Sequence, residues 1–383
     1  MSRPLHALLA AASLALTFSA PAPARAQTIK LATIVELSGA GATSGTNFKN
    51  GIEMAVREIN AAGGILGRKL ETTVADTQSN PGVAKGLATK AVDDDVFAVF
   101  GPVFSGSILV SMAETRRAEM PNFTGGEAAA ITKQGNPFIF RTSFTQDTAM
   151  PKVARYVANN LKAKTLALIY VNNDFGKGGR DSLTKALEPL GVKVVADIST
   201  DQSQVDFSAA VLKAKQSNAD VVFVYTNEEE GARLLRELRK QGISKPIVGE
   251  TVLTSQKVIE LAGEAANGAS AHVGLTVDAP IPSVRAFRAR FERDYKYIPD
   301  HNGIKGYTGV YILKAAIEKV GKLDRKQVAK ALHGLKISAA EHPGVLMDVS
   351  IDANGDLDRA SFLTEARNGK QEVSEILPAL GTK

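Results

Sequence analysis

The sequence has no cysteine, no tryptophan and only five histidines among its 383 residues. Without thiols, disulfide scaffolds, thiol catalysis, iron–sulfur clusters and cysteine-ligated zinc are excluded. His6, His272, His301, His333 and His342 lie far apart and form no HExxH-type helical pair, so no metal and no cofactor is expected. Basic runs are missing too. The formal charge is +6, but 46 basic residues are spread among 40 acidic ones, which argues against nucleic acid as a partner. What is there is ordinary for a globular protein: 44% of residues are hydrophobic and 22% charged, enough apolar material for two or three domains.

Long apolar runs are also lacking. Spanning a bilayer takes about 20 apolar residues, whereas Ala7 to Phe18 supplies about a dozen. Arg3 precedes that stretch, and Ala24-Arg25-Ala26 follows it with the small-x-small pattern that signal peptidase cleaves. Residues 1–26 are therefore predicted to be a signal peptide, with a mature chain beginning at Gln27 in the periplasm of a two-membrane cell.

From there the pattern alternates between short β-branched runs and helical periodicity. Ile29 to Val35 reads as a strand, and Phe48, Ile52, Ala55, Val56 and Ile59 recur at helical spacing. Strands follow at Leu70 to Ala75 and Val96 to Phe100, with helices at Pro81 to Val92 and Ser107 to Arg117. The pattern restarts after Phe138 to Arg141, with strands at Thr165 to Val171, Val192 to Ile198 and Asp220 to Tyr225. Helices are expected between them at Gly179 to Leu190 and Val205 to Lys215, and after them at Glu229 to Gln241. Further helices are expected at Ser283 to Tyr297 and Gly306 to Val320, then short strands near Val345 to Ile351 and at Phe362 to Arg367. The fold class is thus α/β, with two doubly wound lobes around a cleft.

Ligands of open α/β sheets sit beyond the carboxyl ends of the strands, where helix N-termini converge. Ser105, Gly106 and Ser107 occupy such a place, where they can either hold an anion or cap the helix. Glu250 and Glu127 each follow a short strand and can face either the crevice or solvent. Phe104 and Phe175 are candidate apolar walls. The run Glu228-Glu229-Glu230 reads as a first-turn acidic cap. Gly176-Lys177 lacks the spacing of a phosphate loop, and Asp352 to Asp356 reads as a turn between strands, not a calcium loop. No GxSxG elbow surrounds Ser105, and no Ser, His and acid constellation is visible, so an enzyme is not expected.

Ser38-Gly39, the run from Asn50 through Glu58-Ile-Asn-Ala-Ala-Gly-Gly-Ile-Leu-Gly67, Asp76, Phe138-Ile-Phe-Arg-Thr142 and Asp174-Phe-Gly176 together resemble one family. It is the periplasmic solute-binding proteins of branched-chain amino-acid ABC transporters, with the type I two-lobed fold, and the resemblance covers essentially the whole mature chain. It implies an N-terminal lobe of residues 28–143 plus 277–348, a C-terminal lobe of 144–276 plus 349–383, and a three-crossing hinge. It also implies capture of an amino acid, of branched-chain type or related, and delivery to a membrane ABC permease by a monomer.

By the same resemblance, Ser105 and nearby amides hold the ligand carboxylate, while Glu250 and the carbonyl of Gly126 take the ammonium. Ser44 and Asn227 stand at or near positions that are often aromatic, and Phe175 replaces a tyrosine. Glu127 or Ala128 stands where the family usually has Thr or Ser, so an inward Glu127 favours a cationic or hydrogen-donating solute. The alternatives are the same fold binding an aromatic or keto acid, a sensory subunit for a receptor, and a cryptic hydrolase.

Overall fold

The computed structural model describes residues 28–379; the expected signal peptide lies outside them. The chain runs β1 (Ile29–Val35), α1 (Ala42–Ala61), β2 (Leu70–Asp76), α2 (Pro81–Asp93), β3 (Ala98–Phe100), α3 (Ser105–Arg117), β4 (Asn122–Thr124) and β5 (Ile139–Arg141). It then crosses through α4 (Gln146–Arg155) to β6 (Thr165–Val171), α5 (Asp174–Leu187), β7 (Lys193–Thr200), α6 (Ser208–Gln216), β8 (Val221–Tyr225), α7 (Glu228–Lys240), β9 (Ile247–Glu250), α8 (Gln256–Ala262) and β10 (Ala269–Val273). It returns through α9 (Pro282–Tyr295), α10 (His301–Val320) and α11 (Arg325–Leu332) to the short strands β11 (Lys336–Ile337), β12 (Val349–Ile351) and β13 (Leu357–Asp358). The antiparallel pair β14 (Ser361–Arg367) and β15 (Lys370–Leu377) closes the described chain.

The first sheet has the order β2-β1-β3-β4-β5, and the second contains β7-β6-β8-β9-β10 extended by β14 and β15. These five-strand orders are the same, and all their pairings are parallel. Each sheet is covered on both faces. In β6, Ala167 and Ile169 enter one core while Leu166 and Leu168 enter another, because successive side chains point to opposite faces. That two-sided burial is why its sequence, TLALIYV, is almost uninterruptedly apolar.

The expected boundary at 348/349 is corrected. β12 and β13 pair with β11, and Val349, Ile351 and Leu357 pack into the core of the first lobe. The third crossing therefore falls at 359–360, just before β14 joins the second sheet. The Asp352 to Asp356 segment is the turn expected, with Asp352 Oδ1 accepting the N–H groups of Asn354 at 2.8 Å and Asp356 at 2.9 Å.

Helix α10 starts five residues before its expected N-terminus at Gly306. Asp300 caps it by accepting the N–H groups of Asn302 at 2.7 Å and Gly303 at 3.3 Å. Its glycines do not break it; they let it press against α1. A Cβ at Gly51 would sit 2.1 Å from Gly303 O, and one at Gly306 would sit 2.1 Å from Phe48 O. This close approach carries the first turn of α10 into the space between the sheets.

Candidate functional site

Both sheets change winding direction at equivalent points, between β1 and β3 in one and between β6 and β8 in the other. A crevice forms at such switch points. The N-termini of α1, α3, α5, α7 and α10 meet there around about 790 Å³ of empty space, solvent at the mouth included.

Helix α3 begins at Ser105, and its N-cap is Phe104, whose side chain accepts nothing. Neither Ser105 nor Ser107 is the cap. Ser105 Oγ instead accepts the N–H of Ala128 at 3.3 Å, which leaves its own proton free to donate. The preceding loop is held by buried Glu36, whose carboxylate accepts the N–H groups of Val103 at 3.0 Å and Phe104 at 3.2 Å. The first-turn amides of α3 thus have no side-chain acceptor and line the cavity with the positive end of the helix dipole.

Glu127 faces the same cavity. Its Oε1 accepts from Lys305 Nζ at 2.9 Å, and its Oε2 lies 3.5 Å from the Tyr225 hydroxyl of the second lobe. Lys305 also donates to Gly125 O at 3.3 Å. Glu250, expected to project into the crevice, lies behind the lining with its carboxyl against that of Glu127. It accepts from Thr251 Oγ1 and lies 3.3 Å from His272 Nδ1, while its Oε2 has no other partner. Burial pushes both carboxyls up from 4.5 to about 7, and repulsion from Glu250 adds to the effect at Glu127. Burial also holds His272 neutral, down at about 3.

Seven of the nine expected residues line the cavity: Ser44, Phe104, Ser105, Gly126, Glu127, Phe175 and Asn227. Ala128 does not; its carbonyl accepts from Arg141 at 3.1 Å and its amide is used by Ser105. The carbonyl of Gly126 accepts from Arg141 Nη1 at 2.6 Å and Ser143 Oγ at 2.8 Å, so the expected ammonium contact there is corrected: both lone pairs are taken. Phe175 stacks on Tyr225 with ring centroids 4.2 Å apart.

Sequence reasoning missed Lys305, Asn302 and Glu228. Lys305 sits in the buried N-terminal half of α10, and only the Asp300 cap shortly before it signals that this end meets a cavity. Of the three glutamates opening α7, Glu230 does act as a cap, accepting the N–H of Asn227 at 3.0 Å. Glu228 instead points across the cleft to accept from Ser44 Oγ at 2.7 Å, and burial raises its pKa against that bond.

Comparison with known proteins agrees with this architecture. The family profile described as periplasmic binding protein matches residues 28–371. A Leu/Ile/Val-binding protein from Rhizobium johnstonii is 31% identical over 344 residues, covering 89% of this chain and 92% of that one. The branched-chain amino acid transporter substrate binding protein LivJ from Streptococcus pneumoniae, solved with isoleucine, is 26% identical with a TM-score of 0.82, covering 92% and 99% of the two chains. An ABC-transporter solute binding protein from R. palustris, solved with benzoate, shares the fold at a TM-score of 0.84 and 21% identity, covering 93% and 98%. With its two switch-point crevices facing one cavity, the chain belongs to the periplasmic binding protein family.

Proposed function

We propose that this protein captures an amino acid in the interlobe cleft outside the cytoplasm and delivers it to an ABC permease. It acts as a monomeric receptor, not a catalyst, and residues 1–26 direct its export. The observation that carries the reading is the pairing of opposite polarities in one cavity: the uncapped first turn of α3 and the carboxyl of Glu127. Ser105 and the α3 amides suit a carboxylate. Glu127, backed by Glu250, suits an ammonium group. Phe104 and the Phe175–Tyr225 stack give the solute an apolar flank. Lobe closure in this family mode is a hinge motion, and the Ser44–Glu228 bond is one of its latches.

One observation favours a second reading. Lys305 brings a buried cation to the cavity, and a keto or aromatic acid could use it without any ammonium partner.

The test is a thermal-shift panel of amino acids and aromatic acids on refolded protein freed of carried-over solute. Ligand at about 100 times its Kd adds about 2.7 kcal/mol, which moves the midpoint by several degrees. Shifts with amino acids support the first reading; shifts confined to aromatic or keto acids replace it with the second.

A further inference from the structure

Three consecutive backbone carbonyls fix the segment that carries Glu127. Those on either side of it accept from one guanidinium: Arg141 Nη1 lies 2.6 Å from Gly126 O, and Nη2 lies 3.1 Å from Ala128 O. The carbonyl of Glu127 itself accepts the N–H of Gln146 at 3.0 Å. Arg141 is buried, at 1% exposure, and is held in turn from its other side. Its Nε donates to Asp356 Oδ1 at 2.7 Å, and Nη2 also donates to Thr132 Oγ1 at 3.0 Å. Thr132 Oγ1 turns its own proton toward Asp356, with Oδ1 at 2.9 Å and Oδ2 at 3.0 Å. Asp356 ends the turn that lies against β5 just before the third crossing. There the Arg141 N–H donates to Gly355 O at 2.9 Å, and a Cβ at Gly355, whose φ is +87°, would sit 2.2 Å from Ile139 O.

We propose that Arg141, set by Asp356 and Thr132, is a positioning residue for solute capture: it grips the carbonyls that flank Glu127 and so aims that carboxyl at the ammonium of the solute. The inference rests on the amino-acid reading above and adds residues that do not line the cavity. It also gives the Asp352 to Asp356 turn a part in binding. The donors of a guanidinium form a rigid planar fork, which is why one side chain can hold two carbonyls and a carboxylate together. A lysine in its place keeps the charge beside Asp356 but ends in a single ammonium, which cannot also reach both sides of Glu127. The groups facing the Glu127 carboxyl are Lys305 Nζ, the Tyr225 hydroxyl and the carboxyl of Glu250. Once the backbone is loosened, the carboxyl moves off these neighbours, and its titration moves back toward the ordinary carboxylate range.

Titration calorimetry with a panel of amino acids on the unaltered, refolded protein comes first, and the ligand found is then titrated against pH into Arg141→Lys and Thr132→Val. Arg141→Lys is expected to weaken binding by about tenfold to a hundredfold, the worth of one charge-assisted hydrogen bond, and Thr132→Val by less. In both, the pH at which affinity rises should fall below that of the unaltered protein. Thr132→Val keeps both charges of the clamp and carries the test if Arg141→Lys does not fold. Unchanged affinity overturns the proposal, and so does weaker binding with the pH step in its original place, since the clamp would then support the fold alone. Failure of every amino acid to bind the unaltered protein removes the amino-acid reading itself, and the positioning role with it.

Discussion

Ser44 Oγ, at the start of α1 in one lobe, donates a 2.7 Å hydrogen bond to Glu228 Oε1, at the start of α7 in the other. The bond exists only when the lobes meet. On the proposed hinge motion, parting of the lobes returns Glu228 to water and costs Ser44 nothing it needs. The pair therefore contributes to closure and not to the folding of either lobe.

Ser44→Ala is accordingly expected to weaken solute binding by about 1–3 kcal/mol, the cost of stranding a buried acceptor, while the melting temperature of the solute-free protein hardly moves. Calorimetric titration and a solute-free melt check the two halves; a large fall in the solute-free melting temperature would place the bond in folding instead.

Glu127 and Glu250 predict a pH dependence. Both carboxyls are raised from 4.5 to about 7, chiefly by burial. A raised carboxyl contributes stability that is complete below the unfolded value and is lost as pH rises through the folded one. The solute-free protein should therefore lose stability between about pH 4.5 and pH 7 on account of this pair, and Glu250→Gln should flatten that slope. Melting temperature against pH, for both proteins, measures it.

The same pair separates the two candidate solute classes. An ammonium group arriving at Glu127 favours the ionised carboxyls and so releases bound proton from the pair, so amino-acid affinity should rise with pH through about 7. A solute that brings only a carboxylate meets growing repulsion instead, and its affinity should fall over that range. Titrations in buffers of different ionisation enthalpy count the protons released.

Lys305→Met leaves the two buried carboxyls without their cation. Removing one partner of a buried ion pair costs about 3–5 kcal/mol, and the loss should be largest at high pH, where both carboxyls are charged. Denaturant unfolding at two pH values tests this; a loss that does not vary with pH would mean the lysine acts through packing.

Gly306→Ala places a methyl group 2.1 Å from Phe48 O, backbone that cannot move aside. Overpacking of this kind costs about 1–3 kcal/mol or more. Because the shift also withdraws the first turn of α10 from the cleft, solute binding should weaken along with the melting temperature.

The strands and most helices were legible because burial on two sheet faces and one helix face writes distinct periods into the sequence, as Thr165 to Val171 and Phe48 to Ile59 illustrate. The β12 and β13 strands were assigned to the wrong lobe because strands this short carry no record of their pairing partner. At the site, the residues lining the cavity were found where a helix N-terminus follows a strand, as at Ser105. Glu250 was misplaced because a carboxylate one residue before a turn reads the same whether it faces a cavity or lies behind another acid. Lys305 stayed hidden because its partner Glu127 is distant in sequence, and only folding shows that the two charges neutralise each other.

The matching strand orders of the two sheets have a consequence for the solute. They give the halves a shared topology, in which α1 corresponds to α5 and α3 to α7. A cleft with that correspondence kept in its side chains would hold a small molecule equally well in two opposite directions. The chain breaks the equivalence at one pair of corresponding helices: α3 begins with bare amides, whereas α7 begins with an occupied cap and the carboxyl of Glu228. Head and tail of a bound molecule are thereby told apart.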